Sequence, residues 1–129
     1  MNYLARSPRA YRDSAVLTAS RGQLVVMLYD GALRYLHQGS VAMQASDLQM
    51  SHKKLRQAEN IIIHLRGVLD LEQGEIAGNL RMIYLFCQRH LLQARLDRDP
   101  EKVSQTAALL AQLREAWAAI AQSDAQRGN

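Results

Sequence analysis

The stretch TASRGQLVVMLYDGALRYL, residues 18–36, contains six consecutive apolar side chains at positions 24–29, followed at once by an Asp-Gly pair. An apolar run that ends in Asp-Gly is typical of a β-hairpin. Ser20 and Gln23, however, form a Ser-x-x-Gln capping box, which marks a helix start just before the run. Since apolar residues continue at helical spacing beyond the run, we predict a helix that needs apolar partners on more than one side.

The composition favours an all-helical protein of one domain. The chain has 129 residues, two prolines and seven glycines, with few aromatic and β-branched residues. A single cysteine, Cys87, excludes a disulfide within the chain. No apolar stretch approaches the roughly 20 residues that span a bilayer, and the N-terminus lacks the apolar core of a signal peptide. We therefore expect a cytoplasmic protein without membrane insertion.

The positive charge is concentrated at the N-terminus. Residues 1–21 carry a net charge of +3, whereas the remaining 108 residues carry +1. A nucleic-acid-binding domain is expected to show a basic surface on its folded part. The nearly balanced charge beyond residue 21 therefore argues against nucleic acid as the main partner.

Capping signals and apolar spacing predict four helices, at 21–45, 48–70, 75–98 and 100–122. Ser46 with Gln49 forms a second capping box, and Asp99 with Pro100 is typical of a helix start. Links of a few residues allow only antiparallel neighbours. The sequence therefore predicts an antiparallel up-down-up-down four-helix bundle over residues 20–122, with an N-terminal arm over 1–19 and a frayed tail over 123–129.

Spacings of three and four residues predict which side chains face the bundle core. The first helix has two apolar rows at this spacing, Leu24, Leu28 and Tyr35, and Val25, Ala32 and Leu36, which give it one side for the core and another for a binding partner. In the second helix the core positions are Leu48, Ser51, Leu55, Ala58, Ile62, Leu65 and Leu69. In the third they are Ile76, Leu80, Ile83, Cys87 and Ala94, flanked by Tyr84 and Leu91. In the fourth they are Val103, Thr106, Leu110, Leu113, Trp117 and Ile120.

The sequence contains no recognisable catalytic or cofactor site. The histidines at 37, 52, 64 and 90 lack a second ligand at helical spacing, so we expect no metal site. Cys87 falls on a core position and is expected to be structural. His64, in IIIHLRGVL, resembles the histidine of phosphotransfer bundles, but Leu65, Arg66 and Gly67 follow it one position too early. Relative to the motif, these three residues are therefore displaced by about 100° around the helix. The basic residue and the glycine would then lie off the face on which a partner approaches the histidine, and we expect no enzyme activity.

Five motifs, in order along the chain, resemble one known family, the flagellin export chaperones FliS. They are AYRDSAVLTAS, LVVMLYDGAL, LDLEQGEIAGNLRMIYLF, LLQA followed by RD, and LREAW. The resemblance implies a cytoplasmic chaperone that binds the disordered C-terminal segment of flagellin, prevents premature polymerisation and assists delivery to the flagellar type III export gate. It implies no ATP, metal or other cofactor. A component of the export gate and other flagellar regulators are the further partners expected, and the free protein is expected to be a monomer or a weak homodimer.

The resemblance also suggests which residues bind the client or cover its site. The candidates are Tyr11, Val16, Leu17, Leu24, Leu28, Tyr29, Leu80 and Tyr84. Of these, Tyr11 and Tyr29 are favoured for the client surface, since Tyr11 lies in the arm and Tyr29 lies beside the core positions of its helix. Leu28 and Leu80, together with Trp117, are favoured as core. The arm residues Tyr11, Val16 and Leu17 are expected to cover apolar surface that the client later occupies.

An alternative from another class is an interaction bundle whose basic arm binds nucleic acid or an acidic protein. Binding by the arm would weaken steeply as the salt concentration rises. Binding in an apolar groove would respond little to salt. Salt dependence therefore separates the two functions.

Overall fold

The computed structural model describes residues 20–69 and 74–127, which form four helices and no strand. The helices are α1 (Arg21–Gln44), α2 (Leu48–Leu69), α3 (Glu75–Asp97) and α4 (Pro100–Arg127). Helix α1 packs against α2 and α4, and α3 packs against the same two helices on the opposite side. The predicted all-α, antiparallel four-helix bundle is confirmed. None of these four helices combines the length and hydrophobicity needed to cross a bilayer.

Helix α1 begins at the predicted capping box. Ser20 Oγ accepts a hydrogen bond from the Gln23 N–H at 3.2 Å, and Gln23 Oε1 accepts one from the Ser20 N–H at 2.8 Å. Two backbone donors at the helix start are thereby satisfied. The helix continues through the Asp-Gly pair to Gln44, so the hairpin alternative is wrong.

Helix α2 begins at residue 48 as predicted, but its capping residue lies one position later than expected. Ser46 was expected to cap α2, but it adopts a left-handed conformation with φ of 61°. Its N–H bonds to the carbonyl of Met43 at 3.1 Å and so closes the end of α1. Asp47 caps α2 instead, because its Oδ1 accepts the N–H of Met50 at 3.1 Å. A cap residue needs an extended backbone, which Ser46 does not have.

The link between α3 and α4 agrees with the prediction. Arg98 ends α3 in the left-handed region, with φ of 53°. Asp99 then caps α4, since its Oδ1 accepts the N–H of Glu101 at 3.0 Å. Pro100 occupies the first helical position, where its missing N–H is no loss.

Helix α4 is longer than predicted. It runs to Arg127, whereas the sequence predicted fraying after residue 122. Ala121 is buried, and a Cβ added at Gly22 would lie only 3.0 Å from the Cβ of Ala121. The close contact with α1 thus stabilises the last turns of α4 beyond the point where their polar sequence suggested an end.

The predicted core positions are confirmed in the middle of the helices and wrong near the ends. In α2, Ser51, Leu55, Ala58, Ile62 and Leu65 are buried, whereas Leu48 in the first turn is exposed. In α4, Val103, Thr106 and Leu110 are buried, Leu113 and Trp117 are half-buried, and Ile120 is exposed. The side chain of Leu69 and the predicted helix end at residue 70 lie outside the described residues.

In helix α3 the predicted core positions Cys87 and Ala94 are buried, whereas those nearer its start are not. Ile76, predicted as core, is 78% exposed, and Leu80 and Ile83 are half-buried. Tyr84 and Leu91, predicted as flanking positions, are buried instead. Ile76 lies in the first turn, at the open end of the bundle, whereas Tyr84 reaches the bundle interior.

The apolar run of α1 is explained by its three neighbours. Val25 and Tyr29 are buried in the core, and Leu24 and Leu28 are half-buried. Further along, Gly39 allows α1 and α2 to approach closely, because a Cβ added there would lie 2.7 Å from Leu55 Cδ2. The first helix therefore contacts α2 on one side, α4 on the other and α3 across the bundle.

Candidate functional site

An apolar groove lies at the end of the bundle where α1 and α3 begin and α2 and α4 end. Its volume is about 520 Å³, and all four helices contribute to it. The lining consists of Arg21, Gly22 and Val25 of α1, Leu65 and Val68 of α2, Ile76, Ala77, Leu80 and Tyr84 of α3, and Leu113, Ala116, Trp117 and Ile120 of α4. Because neighbouring helices are antiparallel, residues far apart in sequence meet at this end. We call this site the apolar groove.

The rim of the apolar groove exposes large hydrophobic side chains to solvent. Ile76 of α3 is 78% exposed and Ile120 of α4 is 51% exposed. Among the described residues that line the groove, Arg21 carries the one charged side chain. Contiguous apolar surface with little charge is typical of a site that binds another protein or a peptide.

Two tyrosines meet beneath the apolar groove. Tyr29 of α1 and Tyr84 of α3 are buried, and their hydroxyl groups share a hydrogen bond across the bundle. Their ring centroids are 6.4 Å apart, with an angle of 47° between the ring planes. Since α1 and α3 are not adjacent, this contact joins the two diagonal helices at the floor of the groove.

Burial keeps the ionisable groups of this region neutral. It raises the pKa of both Tyr29 and Tyr84 above the usual tyrosine range, and it outweighs the opposing effect of the Trp117 indole. It also raises the pKa of the Cys87 thiol to about 11, so the thiol is not a reactive thiolate at neutral pH. These neutral, buried groups form the packed floor of the groove and place no charge beneath it.

The structure brings three of the sequence-predicted site residues to the apolar groove or its floor. Leu80 and Tyr84 line the groove, and Tyr29 lies beneath it. Leu24 and Leu28 are half-buried in α1 and are not part of the lining. Placing Tyr29 on an accessible surface was wrong for this conformation, because Tyr29 has no exposed area. Its position beside the other core residues of α1 is explained by Tyr84, which faces it from α3.

The arm candidates Tyr11, Val16 and Leu17 lie outside the described residues. The first described residues, Ser20 and Arg21, are at the start of α1. Arg21 itself lines the apolar groove, so the chain enters the bundle at the edge of this site.

Most of the groove lining was not recognised as a site from the sequence. Ile76, Leu113, Trp117 and Ile120 were predicted as core positions, and Ala116 was not singled out. Their spacing along each helix resembles that of core residues, and it does not reveal which of them line open space. The antiparallel order of four helices could have indicated which ends meet, but not that a groove opens between them.

The outer surface near the apolar groove carries one ion pair between helices. Arg114 Nε of α4 lies 2.9 Å from Asp30 Oδ1 of α1, and both side chains are partly exposed. The Asp-Gly pair that follows the apolar run therefore supplies an ion pair from its aspartate, while the buried Gly31 faces Ile61 of α2.

Within residues 20–69 and 74–127, no three His, Cys, Asp or Glu side chains are grouped as metal ligands.

Comparison with known proteins gives a consistent result. The model of the family described as "Flagellar protein FliS" matches residues 4–124. The flagellar secretion chaperone FliS of Escherichia coli (strain K12) is 40% identical over 121 residues, which are 89% of each chain. The protein of the same name from Salmonella typhimurium is 38% identical over 124 residues, or 92% of each chain. That of Bacillus subtilis is 29% identical over 115 residues, covering 89% of this chain and 86% of its own.

Proposed function

The chain belongs to the FliS family of flagellar secretion chaperones, and from this premise we propose that its client is the disordered C-terminal segment of flagellin. On this proposal the protein holds newly made flagellin in the cytoplasm, prevents premature polymerisation and helps to deliver it to the flagellar type III export gate. The relatives are named as chaperones, which points to a non-catalytic role.

The observation that carries the proposal is the apolar groove with its exposed rim. Its volume of about 520 Å³ provides room for several apolar side chains. An amphipathic segment that becomes helical on binding places such side chains on one face, at spacings of three and four residues. Ile76 of α3 and Ile120 of α4, both exposed in the lining of the groove, would then contact that face.

The energetics favour binding that is firm and still reversible. Full burial of one isoleucine side chain stabilises by about 1.5–3 kcal/mol. A disordered segment that folds on binding loses roughly 2–5 kcal/mol or more in ordering. Several apolar contacts are therefore needed before binding is favourable, and the ordering cost allows release at export.

The arm, residues 1–19, is the proposed cover of the apolar groove in the free protein. It is joined to the bundle at Arg21, which lines the groove, and it carries the apolar residues Tyr11, Val16 and Leu17. A tethered segment competes at an effective concentration of order mM. Flagellin would displace the arm when it binds.

The main test is calorimetric titration with the C-terminal segment of flagellin from the same organism, at low and high salt. We expect binding near one to one, a large negative heat-capacity change and little salt dependence. A scrambled segment of the same composition is the control and should not bind. Absence of binding at micromolar concentrations would contradict the proposal, whereas a steep loss of affinity with salt would favour the basic arm as the binding element.

The role of the arm is tested by the rate of association. Deletion of residues 1–17 keeps the Ser20 cap of α1 and should speed flagellin binding. Replacing Val16 and Leu17 by serine should have the same effect if the apolar side chains form the cover. Replacing Arg6, Arg9 and Arg12 by glutamine removes charge alone and is the matched control. An unchanged rate in the deletion variant would refute the covering role.

A further inference from the structure

A second, smaller cavity lies at the opposite end of the bundle. Its volume is about 190 Å³. The lining consists of Met43, Leu48, Ser51, His52, Arg95 and Arg98. These residues come from the end of α1, the start of α2 and the end of α3. We call this site the far-end cavity; no residue of the apolar groove takes part in it.

Three of the six side chains that line the far-end cavity are of basic type, those of His52, Arg95 and Arg98, and no carboxylate of the described residues belongs to the lining. Arg95 Nη2 lies 3.0 Å from Oε1 of Glu59, which places a largely buried ion pair beside the cavity. Its Nη1 lies 3.4 Å from His52 Nδ1. The buried Arg95 Nε has no hydrogen-bond partner within the described part of the chain. Arg95 therefore has donor capacity left after its pairing with Glu59.

Arg98 brings a second positive charge to the far-end cavity. It forms no ion pair with any carboxylate among residues 20–69 and 74–127. Its backbone adopts a left-handed conformation, with φ of 53°, at a helix end where glycine is the usual residue. An arginine side chain is thus present at a position where the backbone alone favours glycine.

The start of α2 adds neutral donors to this site. Leu48 and Ser51 of its first turn line the far-end cavity, and the turn contains no acidic residue. The first N–H groups of a helix have no partner within the helix, and this end carries the positive part of the helix dipole. Asp47 accepts the N–H of Met50 and so places one carboxylate at this helix start. The N–H groups of Leu48 and Gln49 are the donors left for a ligand, and the positive charge for an anion has to come from the arginines. The buried Ser51 hydroxyl can donate as well.

From these contacts we propose that the far-end cavity binds a single oxyanion group, either carboxylate or phosphoryl. Two arginines supply the charge, and the first turn of α2 supplies backbone donors, which is the combination that recognises such groups. A volume of about 190 Å³ accommodates one small anion. The side chain of Arg98 is the principal ligand, because Arg95 is already paired with Glu59.

The anion has two conceivable sources, free phosphate or the terminal carboxylate of a bound partner chain. The second source rests on the proposed function. Helix α2 has 22 residues and is about 33 Å long at 1.5 Å per residue. A client segment in the apolar groove would need about ten extended residues to bring its carboxylate to the far-end cavity.

The proposal is tested by titrating the full chain with inorganic phosphate and following its backbone amide signals by NMR. Sodium chloride at equal ionic strength is the control. We expect saturable shifts of the Leu48, Gln49 and Ser51 amides that chloride does not produce. Absence of such shifts, or shifts spread over all basic surfaces of the protein, would overturn the proposal.

Matched variants then show whether the side chain of Arg98 supplies the positive charge that binds phosphate. Arg98→Gln should weaken phosphate binding at least about tenfold, the effect of one charge-assisted hydrogen bond. Arg89→Gln, an equal change at an exposed position of the same helix, should leave binding unchanged. Arg98→Gly removes the side chain, and glycine suits the left-handed backbone at this position. A loss of phosphate binding in this variant would therefore not reflect misfolding. Equal effects of Arg98→Gln and Arg89→Gln would contradict a specific site.

The source is identified with the flagellin segment in two forms, one with a free terminal carboxylate and one amidated. If the carboxylate occupies the cavity, amidation weakens binding about tenfold in the parent chain and not in Arg98→Gly. Equal affinity of both forms, with phosphate shifts present, assigns the site to the free anion. If neither form binds, the proposed client is wrong, and the phosphate titration still decides the far-end cavity.

Discussion

At the end where α1 begins, the apolar groove encloses about 520 Å³, and the described residues of its lining include one charged side chain. The far-end cavity encloses about 190 Å³, and two arginines and a histidine make up half of its six lining residues. The same four helices form both ends. At the groove the helix ends leave apolar side chains without a facing helix. At the far end, a close approach of α1 to α2 at Gly39 and the ion pair of Arg95 with Glu59 join the helices. The difference indicates that apolar recognition and charge recognition are separated along one bundle.

The largest expected effect tests the close packing of the far half. In Gly39→Ala, the new Cβ would lie 2.7 Å from Cδ2 of Leu55, which is fully buried. We expect a loss of about 1–3 kcal/mol in the free energy of unfolding, measured by urea denaturation. Gly78→Ala is the control, because its Cβ would have no neighbour nearer than 3.9 Å; it should stabilise the protein by about 0.5–1 kcal/mol. Equal effects of the two variants would contradict the difference in packing.

The next effect concerns the floor of the apolar groove. Tyr84→Phe removes the hydroxyl that bonds to the buried Tyr29 hydroxyl and leaves it the Trp117 indole as its remaining polar neighbour. We expect a loss of about 1–2 kcal/mol in unfolding free energy. Tyr35→Phe makes the same change at a half-buried position and should have little effect. A Tyr84→Phe protein as stable as the parent would show that the tyrosine pair does not stabilise the groove end.

A smaller effect, of opposite sign, is expected at the far end. Arg98→Gly relieves the left-handed backbone and should raise the free energy of unfolding by about 0.5 kcal/mol. The same substitution at Arg89, inside α3, should lower it by about 0.5–1 kcal/mol, because glycine is unfavourable in a helix. Thermal or urea denaturation of the two variants checks the signs, and a destabilised Arg98→Gly would be inconsistent with strain at this link.

The smallest effect is a pH dependence at the ion pair of the far end. Burial raises the pKa of the Glu59 carboxyl above its ordinary value of 4.5 and outweighs the effect of Arg95. The folded state then holds this proton more tightly than the unfolded state, so stability falls as pH rises from the ordinary value through the raised one. We expect the stability of the parent chain relative to Glu59→Gln to be lower at about pH 7 than at about pH 4. The reverse order would show that the pairing with Arg95 outweighs burial.

The fold could be predicted because its signals are local. The Ser20 capping box and the Asp99-Pro100 start each involve residues within one turn, and both are present in the structure. The start of α2 at residue 48 was predicted correctly, but its cap was assigned to Ser46 instead of Asp47, because both residue types are good caps. Only the left-handed backbone of Ser46, which closes α1, decides between them.

The site could be predicted only in part, because it depends on how the helices are rotated and where they end. On α3 the spacing predicted Cys87 and Ala94 as core and Tyr84 as a flanking position. All three are buried, and Tyr84 is buried because it contacts Tyr29 across the bundle, which the sequence of α3 alone does not show. Ile76 and Ile120 follow core spacing and are nevertheless exposed. Their exposure depends on which side chains of the neighbouring helices face them, for which a single helix carries no signal.

The most direct test of the central claim uses Trp117, the single tryptophan of the chain, which lines the apolar groove. We would titrate the protein with a tryptophan-free C-terminal segment of flagellin and follow the emission of Trp117. If the segment binds in the apolar groove, the emission of Trp117 shifts and saturates at one segment per chain. In Ile76→Ser the affinity for the segment falls about tenfold, because the client buries the isoleucine side chain. Ile63→Ser, at a position 50% exposed and outside the groove, should bind as the parent does. An unchanged emission, or equal losses in the two variants, would contradict binding in the apolar groove.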